Sequence, residues 1–139
     1  MANLFTYGTL MCEDIMRDVS GELPLSERGV LRGYIRWRIK DEHYPALVPH
    51  ATGAVEGVVY RDIPESAWLN LDRFEGEMYA RTIVAVELDK GEILEAATYV
   101  MRPEFTGLIE RTTWDFDEFV ASHKTQFELE YRGFSNIKQ

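Results

Sequence analysis

Cysteine occurs once in these 139 residues, as Cys12, so no internal disulfide can form and no oxidising compartment is implied. Histidine occurs three times, at His43, His50 and His123, without the spacing of zinc ligands. Basic residues are scarce, 15 against 24 acidic ones, for a net charge of −9. That balance argues against a chain that wraps a nucleic-acid backbone, which needs clustered lysine and arginine. No stretch approaches the roughly 20 apolar residues of a membrane span, and Met1 is not followed by the charged start and apolar core of a secretion signal. A P-loop and a GxGxxG fingerprint are both missing, so no nucleotide cofactor is expected. Heptads and large apolar tracts are missing too. The expectation is a cytoplasmic monomer that engages neither nucleic acid nor membrane and uses no metal or cofactor.

Apolar residues make up 45% of the chain and aromatic ones 12%, enough for a true core. A domain near this size buries roughly 68–70% of its unfolded surface, so residues 1–139 read as one domain that needs no staple. No repeat, low-complexity tract or linker divides it. A first strand is expected at Asn3–Tyr7, then a short helix around Cys12–Val19 and a break at Gly21–Pro24. Arg28–Ile39 alternates charge with Val30, Leu31, Tyr34, Ile35, Trp37 and Ile39, which reads as a strand with one wet face, and Gly33 inside it marks a bulge. Asp41–Gly53 carries Pro45 and Pro49 and is expected to be mostly irregular, with a strand resuming at Ala54–Arg61.

Pro64 is placed to open a helix and Gly76 to end it. Tyr79–Leu88 and Ile93–Met101 read as strands joined by a tight Asp89–Glu92 turn. A last helix is expected from Trp114 to Tyr131, with Thr112-x-x-Asp115 as its capping box. Strands that outnumber helices without strict β-α alternation indicate an α+β fold: a largely antiparallel sheet, barrel-like or open, with flanking helices.

Two features carry chemistry. On a helical wheel of about 100° per residue, Ala67, Trp68, Leu71 and Phe74 form one apolar stripe, and Glu75 falls inside it. An acid there loses water and sits at the negative end of a helix, and both effects raise its pKa toward the range useful for general acid/base work. The alternative is a glutamate whose stem covers the core edge while its head reaches water or pairs with Arg81. The second feature is Tyr7-Gly8-Thr9-Leu10, a glycine turn directly after a strand, whose successive N–H groups can line an anion site or simply turn the chain. Tyr79 and Arg81 alternate onto one face of the following strand, and Tyr99 opposes them if the hairpin pairs in simple register. These three either line a polar pocket or form a cross-strand set on a half-wet sheet. A thiol–imidazole pair built on Cys12 has no supporting signature, and His123 reads as a packed residue of the last helix.

Leu4-Phe5-Thr6-Tyr7-Gly8-Thr9-Leu10 resembles the signature loop of the γ-glutamylcyclotransferase-like (AIG2-like) family. Tyr44-Pro45-Ala46-Leu47 and Gly53–Tyr60 resemble its middle, and Leu71–Arg81 resembles its LD-x-FEG-x-x-Y-x-R segment. The resemblance covers roughly residues 3–100. It implies a small mixed β-barrel with flanking helices and a pocket at one mouth, Glu75 as general acid/base, and a substrate-binding turn at Tyr7–Leu10. It also implies a small γ-glutamyl substrate, cyclised to 5-oxoproline with loss of an amine or amino acid. A binding module that senses a small acidic metabolite through the same pocket is the competing expectation.

Overall fold

The computed structural model describes residues 2–130. Six strands form one sheet: β1 (Ala2–Thr6), β2 (Ser26–Ile39), β3 (Pro45–Ile63), β4 (Tyr79–Leu88), β5 (Ile93–Met101) and β6 (Ile109–Thr113). Their order is β3-β1-β5-β4-β2-β6, and β2 also pairs with β3, so the first five close into a barrel with β6 hung on the edge of β2. The β1–β5 pairing is parallel and the others are antiparallel. Closure removes the open edges that strands this long would otherwise present. The fold is the expected small mixed barrel.

Alternation along the strands produces two cores. Phe5, Leu31, Leu47, Val55, Val59, Val84 and Val86 point into the barrel. Their neighbours in sequence face outward: Leu4 and Tyr60 pack with Ile15 and Met16 of α1 (Glu13–Ser20) and Leu71 of α2 (Glu65–Glu75). A third helix begins at Phe116–Glu118, continues through a π-helical turn at Phe119–His123 and runs on over residues 124–130. Phe119 and Phe127 bring it onto the same outer core, and Lys124 bonds Asp14 of α1 at 2.9 Å. Tyr131, expected as the end of this helix, lies outside the described residues.

The hairpin β4–β5 has the expected bounds and register, with Arg81 opposite Tyr99. A bulge does fall at Gly33, where the β2–β3 register shifts between Arg32 and Tyr34. The irregular reading of 41–53 is corrected: Pro45–Pro49 pair with Tyr34–Arg38. The two prolines lie four residues apart, at positions of the same parity. A ladder to β2 can therefore run with both missing N–H groups turned to the far edge, which has no strand partner among the described residues. The capping box is also corrected. Asp115 is itself the N-cap, accepting from the Glu118 N–H at 2.9 Å, while Thr112 belongs to β6. Pro64 likewise caps α2 rather than opening it.

Candidate active site

Strand β1 ends at Thr6, and the chain turns through Tyr7 and Gly8 into a single 3₁₀ turn, Thr9–Met11. The four carbonyls from Tyr7 to Leu10 are all occupied. Tyr7 accepts from Arg36 Nη1 at 2.7 Å, Gly8 from Met11 N at 3.0 Å, Thr9 from Cys12 N at 3.1 Å and Leu10 from the Tyr60 hydroxyl at 2.8 Å. The N–H groups of Gly8, Thr9 and Leu10 donate to nothing among the described residues. With these acceptors tied off and its donors unused by any described residue, the turn has the donor geometry that can cradle an oxygen with negative charge. Glycine is required at position 8, since a Cβ there would lie 2.8 Å from Pro45 Cδ.

Helix α2 delivers Glu75 to this cradle. Ala67, Trp68 and Leu71 are buried as the wheel requires, and Gly76, at φ 81°, ends the helix directly after the acid. Glu75 lines a narrow inner cleft of about 20 Å³ together with Tyr7, Gly8, Thr9, Leu10, Tyr44, Pro45, Tyr79 and Tyr99. It also lines an adjoining pocket of about 240 Å³ with Thr9, Tyr44, Tyr79, Phe74, Phe127, Glu42 and Glu130. The acid therefore stands where the two spaces meet.

The phenols around Glu75 spend their protons elsewhere. Tyr7 Oη donates to the Tyr99 carbonyl at 2.5 Å, Tyr79 Oη to the Pro45 carbonyl at 2.7 Å and Tyr99 Oη to Asp72 Oδ1 at 2.7 Å. Among the described residues, no hydrogen bond reaches the Glu75 carboxylate and no guanidinium pairs with it. Glu75 is half-buried and its carboxylate oxygens keep some accessible surface at the cleft, yet the protein packed around the group pushes its pKa up to about 8. Burial first, then the neighbouring carboxylate and phenols, hold Tyr7 and Tyr79 well above the ordinary phenol range, so both remain neutral donors.

Of the residues singled out from the sequence, Glu75, Tyr7, Gly8, Thr9, Leu10, Tyr79 and Tyr99 come together around one cleft. Arg81 does not. Its guanidinium sits 3.4 Å from Asp72 Oδ2 and 4.7 Å from the centre of the Trp68 ring, on a groove outside the cleft. The reason is the helix: α2 covers the Tyr79–Arg81 face of β4, and its flank supplies Arg81 with both an aromatic plate and a counter-charge. The alternative pairing of Glu75 with Arg81 is thereby removed too. Cys12 is buried, and burial pushes its thiol up to about 11, the reverse of an activated nucleophile. His123 stacks on His43 with ring centroids 4.9 Å apart.

Two residues at the site had no role in the sequence reading. Tyr44 lines both spaces, and the only signal for it was its place beside Pro45 in a matching segment. Arg36 reaches the cradle from β2, and nothing in its strand pattern sets it apart from Arg32 or Arg38.

Comparison with known proteins supplies independent information. Residues 4–116 match the family model described as gamma-glutamyl cyclotransferase, AIG2-like. The chain is 34% identical over 130 residues to AIG2-like protein C of Arabidopsis thaliana, covering 90% of this chain and 73% of that one. A solution structure of another Arabidopsis thaliana protein superposes with a TM-score of 0.70 at 27% identity, covering 99% of this chain and 83% of that one. A structure titled gamma-glutamyl cyclotransferase has a TM-score of 0.65 at 16% identity, over 75% and 73% of the two chains, and so shares the fold.

Proposed function

This chain belongs to the AIG2-like γ-glutamyl cyclotransferase family, and we propose that it works as a cyclotransferase, converting a small γ-glutamyl compound into 5-oxoproline and a free amine or amino acid. The observation that carries this reading is the carboxyl group of Glu75, half-buried and without a hydrogen-bond donor among the described residues, sharing one cleft with a turn whose N–H groups no described residue uses.

The substrate's α-amine arrives as an ammonium and is no nucleophile until it loses a proton. Ionised Glu75 takes that proton. The amine nitrogen then attacks the γ-carbonyl carbon of its own chain, closing a five-membered ring. The carbonyl oxygen becomes an oxyanion and is held by the Gly8–Leu10 donors, already oriented before the reaction begins. Collapse of this intermediate breaks the bond to the departing nitrogen, which takes the first proton back from Glu75. The ring nitrogen, still carrying two hydrogens after the attack, gives its second proton to the same carboxylate, which passes it to the freed amine; the amine leaves as an ammonium, Glu75 ends ionised, and no water is consumed. Because nucleophile and electrophile share one molecule, the protein's remaining task is to hold the chain bent into a near-attack shape. The inner cleft of about 20 Å³ suits a single oxygen atom, and the adjoining 240 Å³ suits the rest of a small substrate.

The test is turnover. The protein is incubated with a panel of γ-glutamyl amines and γ-glutamyl amino acids, and 5-oxoproline is measured. Release by the wild-type chain and its loss in Glu75→Gln, with the fold retained, is the expected outcome. Binding without product across the panel would instead favour a metabolite-sensing module, and full turnover by Glu75→Gln would remove the mechanism.

A further inference from the structure

The group that holds the carbonyl of Tyr7 is charged and stands outside the cleft. Arg36 Nη1 donates to it at 2.7 Å and makes a longer contact of 3.4 Å with the Glu56 carbonyl. The guanidinium lies 5.3 Å from the centre of the Trp114 ring. Trp114 is buried, and its indole N–H donates to the His43 carbonyl at 2.8 Å. So the arginine is held on one side by a plate that is itself fixed, next to Tyr44 of the cleft. Arg36 borders a separate groove with Glu56 and Trp114 and does not line the Glu75 cleft.

A peptide unit is planar, and in the trans form its C=O and N–H point in opposite directions; none of the described peptide bonds is cis. Holding the Tyr7 oxygen outward therefore turns the N–H of Gly8 inward, toward the cleft that Gly8 lines. A charged donor on the carbonyl also polarises the amide and makes that N–H a stronger donor. A turn without such an anchor could rotate the Tyr7–Gly8 peptide. It would then present a carbonyl oxygen where the reaction needs a donor, and glycine offers little resistance to that rotation.

We propose that Arg36 is a positioning residue for the reaction: by gripping the Tyr7 carbonyl from outside the cleft, it fixes the Tyr7–Gly8 peptide with its N–H aimed at the developing oxyanion. This rests on the cyclotransferase reading above, and it assigns a role to a strand residue that never touches substrate. The grip acts on the transition state more than on the bound substrate, so its loss falls on kcat more than on KM.

The experiment compares wild-type protein with Arg36→Ala and Arg36→Lys by steady-state kinetics and by the amide resonance of Gly8 in the free protein. In Arg36→Ala, kcat is expected to fall about 10- to 100-fold with little change in KM, a misaimed donor costing less than a deleted one. Guanidinium ion should restore part of that loss while sodium chloride at the same ionic strength does not, and Arg36→Lys should fall between the other two. The Gly8 amide resonance should shift in both variants. A kcat within about twofold of wild type in Arg36→Ala, with the Gly8 resonance unmoved, overturns the proposal. If Arg36→Ala does not fold, Arg36→Lys decides by the same readouts. A wild-type chain with no turnover would sink the cyclotransferase reading instead, and the Gly8 resonance would then decide the grip alone.

Discussion

Glu75 is an acid surrounded by hydroxyl groups, none of which donates to it. Tyr7, Tyr79 and Tyr99 all satisfy other acceptors, so the carboxylate has lost part of its water without gaining a donor among the described residues. The sign of the resulting stability effect is opposite to that of a salt-bridged carboxylate. Below the ordinary value of 4.5 both folded and unfolded chains hold the proton. Between 4.5 and about 8 the unfolded chain has released it and the folded chain has not, so this residue lowers stability as pH rises, and the full cost is present above 8. Glu75→Gln is therefore expected to be more stable than wild type at pH 8.5, by an amount on the order of a few kcal/mol, and equal to it near pH 4. Denaturant unfolding of the two proteins at both pH values checks this. The same residue sets a kinetic expectation. The pH profile of kcat/KM, which reports the free enzyme, should rise through an apparent pKa near 8. In the complex the substrate's ammonium favours the charged carboxylate, so the rising limb of kcat should lie at lower pH. Identical limbs in the two profiles would argue against an ammonium beside Glu75. The placement of Glu75 was legible because an apolar stripe with one acid in it is a local, periodic signal. Arg36 was not, since its partner Tyr7 lies 29 positions away on another strand, and no local pattern records such a contact.

At the scale of elements, the site is the meeting of a turn after β1 with the end of α2, and Pro45 at the start of β3 ties the turn to Tyr79 of β4. Its ring limits position 8 to glycine and its carbonyl takes the Tyr79 proton. Gly8→Ala would place a methyl 2.8 Å from that ring, forcing the cradle away from Glu75. The expected result is a fall in kcat/KM of at least about tenfold, larger in relative terms than the accompanying drop in stability. Activity assays and thermal unfolding of the same sample measure both, and near wild-type kcat/KM would show that the cradle is not the oxyanion site. Elements defined by their own residues were readable. Tyr79–Leu88 and Ile93–Met101 alternate cleanly, and α2 carries its stripe and its terminal glycine. Elements defined by their neighbours were not. Pro45–Pro49 reads as loop until β2 is laid beside it. Ile109–Thr113 is a strand because β2 offers its free edge at Trp37–Ile39. Arg81 is the same lesson in a side chain: strand alternation gave its face, and only the helix above it determined what that face meets.

For the molecule as a whole, the barrel and its helical cover act together as the solvent of one carboxyl group. Closure of five strands fixes the turn after β1, the outer core presses α2 against that end of the barrel, and the third helix brings Phe127 to the wall of the adjoining pocket. The effect of this enclosure is felt at one side chain. The most direct measurement is a titration of the Glu75 side-chain carboxyl carbon by NMR in the ligand-free protein. A midpoint near pH 8 is expected. A midpoint in the ordinary range near 4.5 would mean that water reaches the carboxylate freely, and the sheltered proton shuttle would be contradicted.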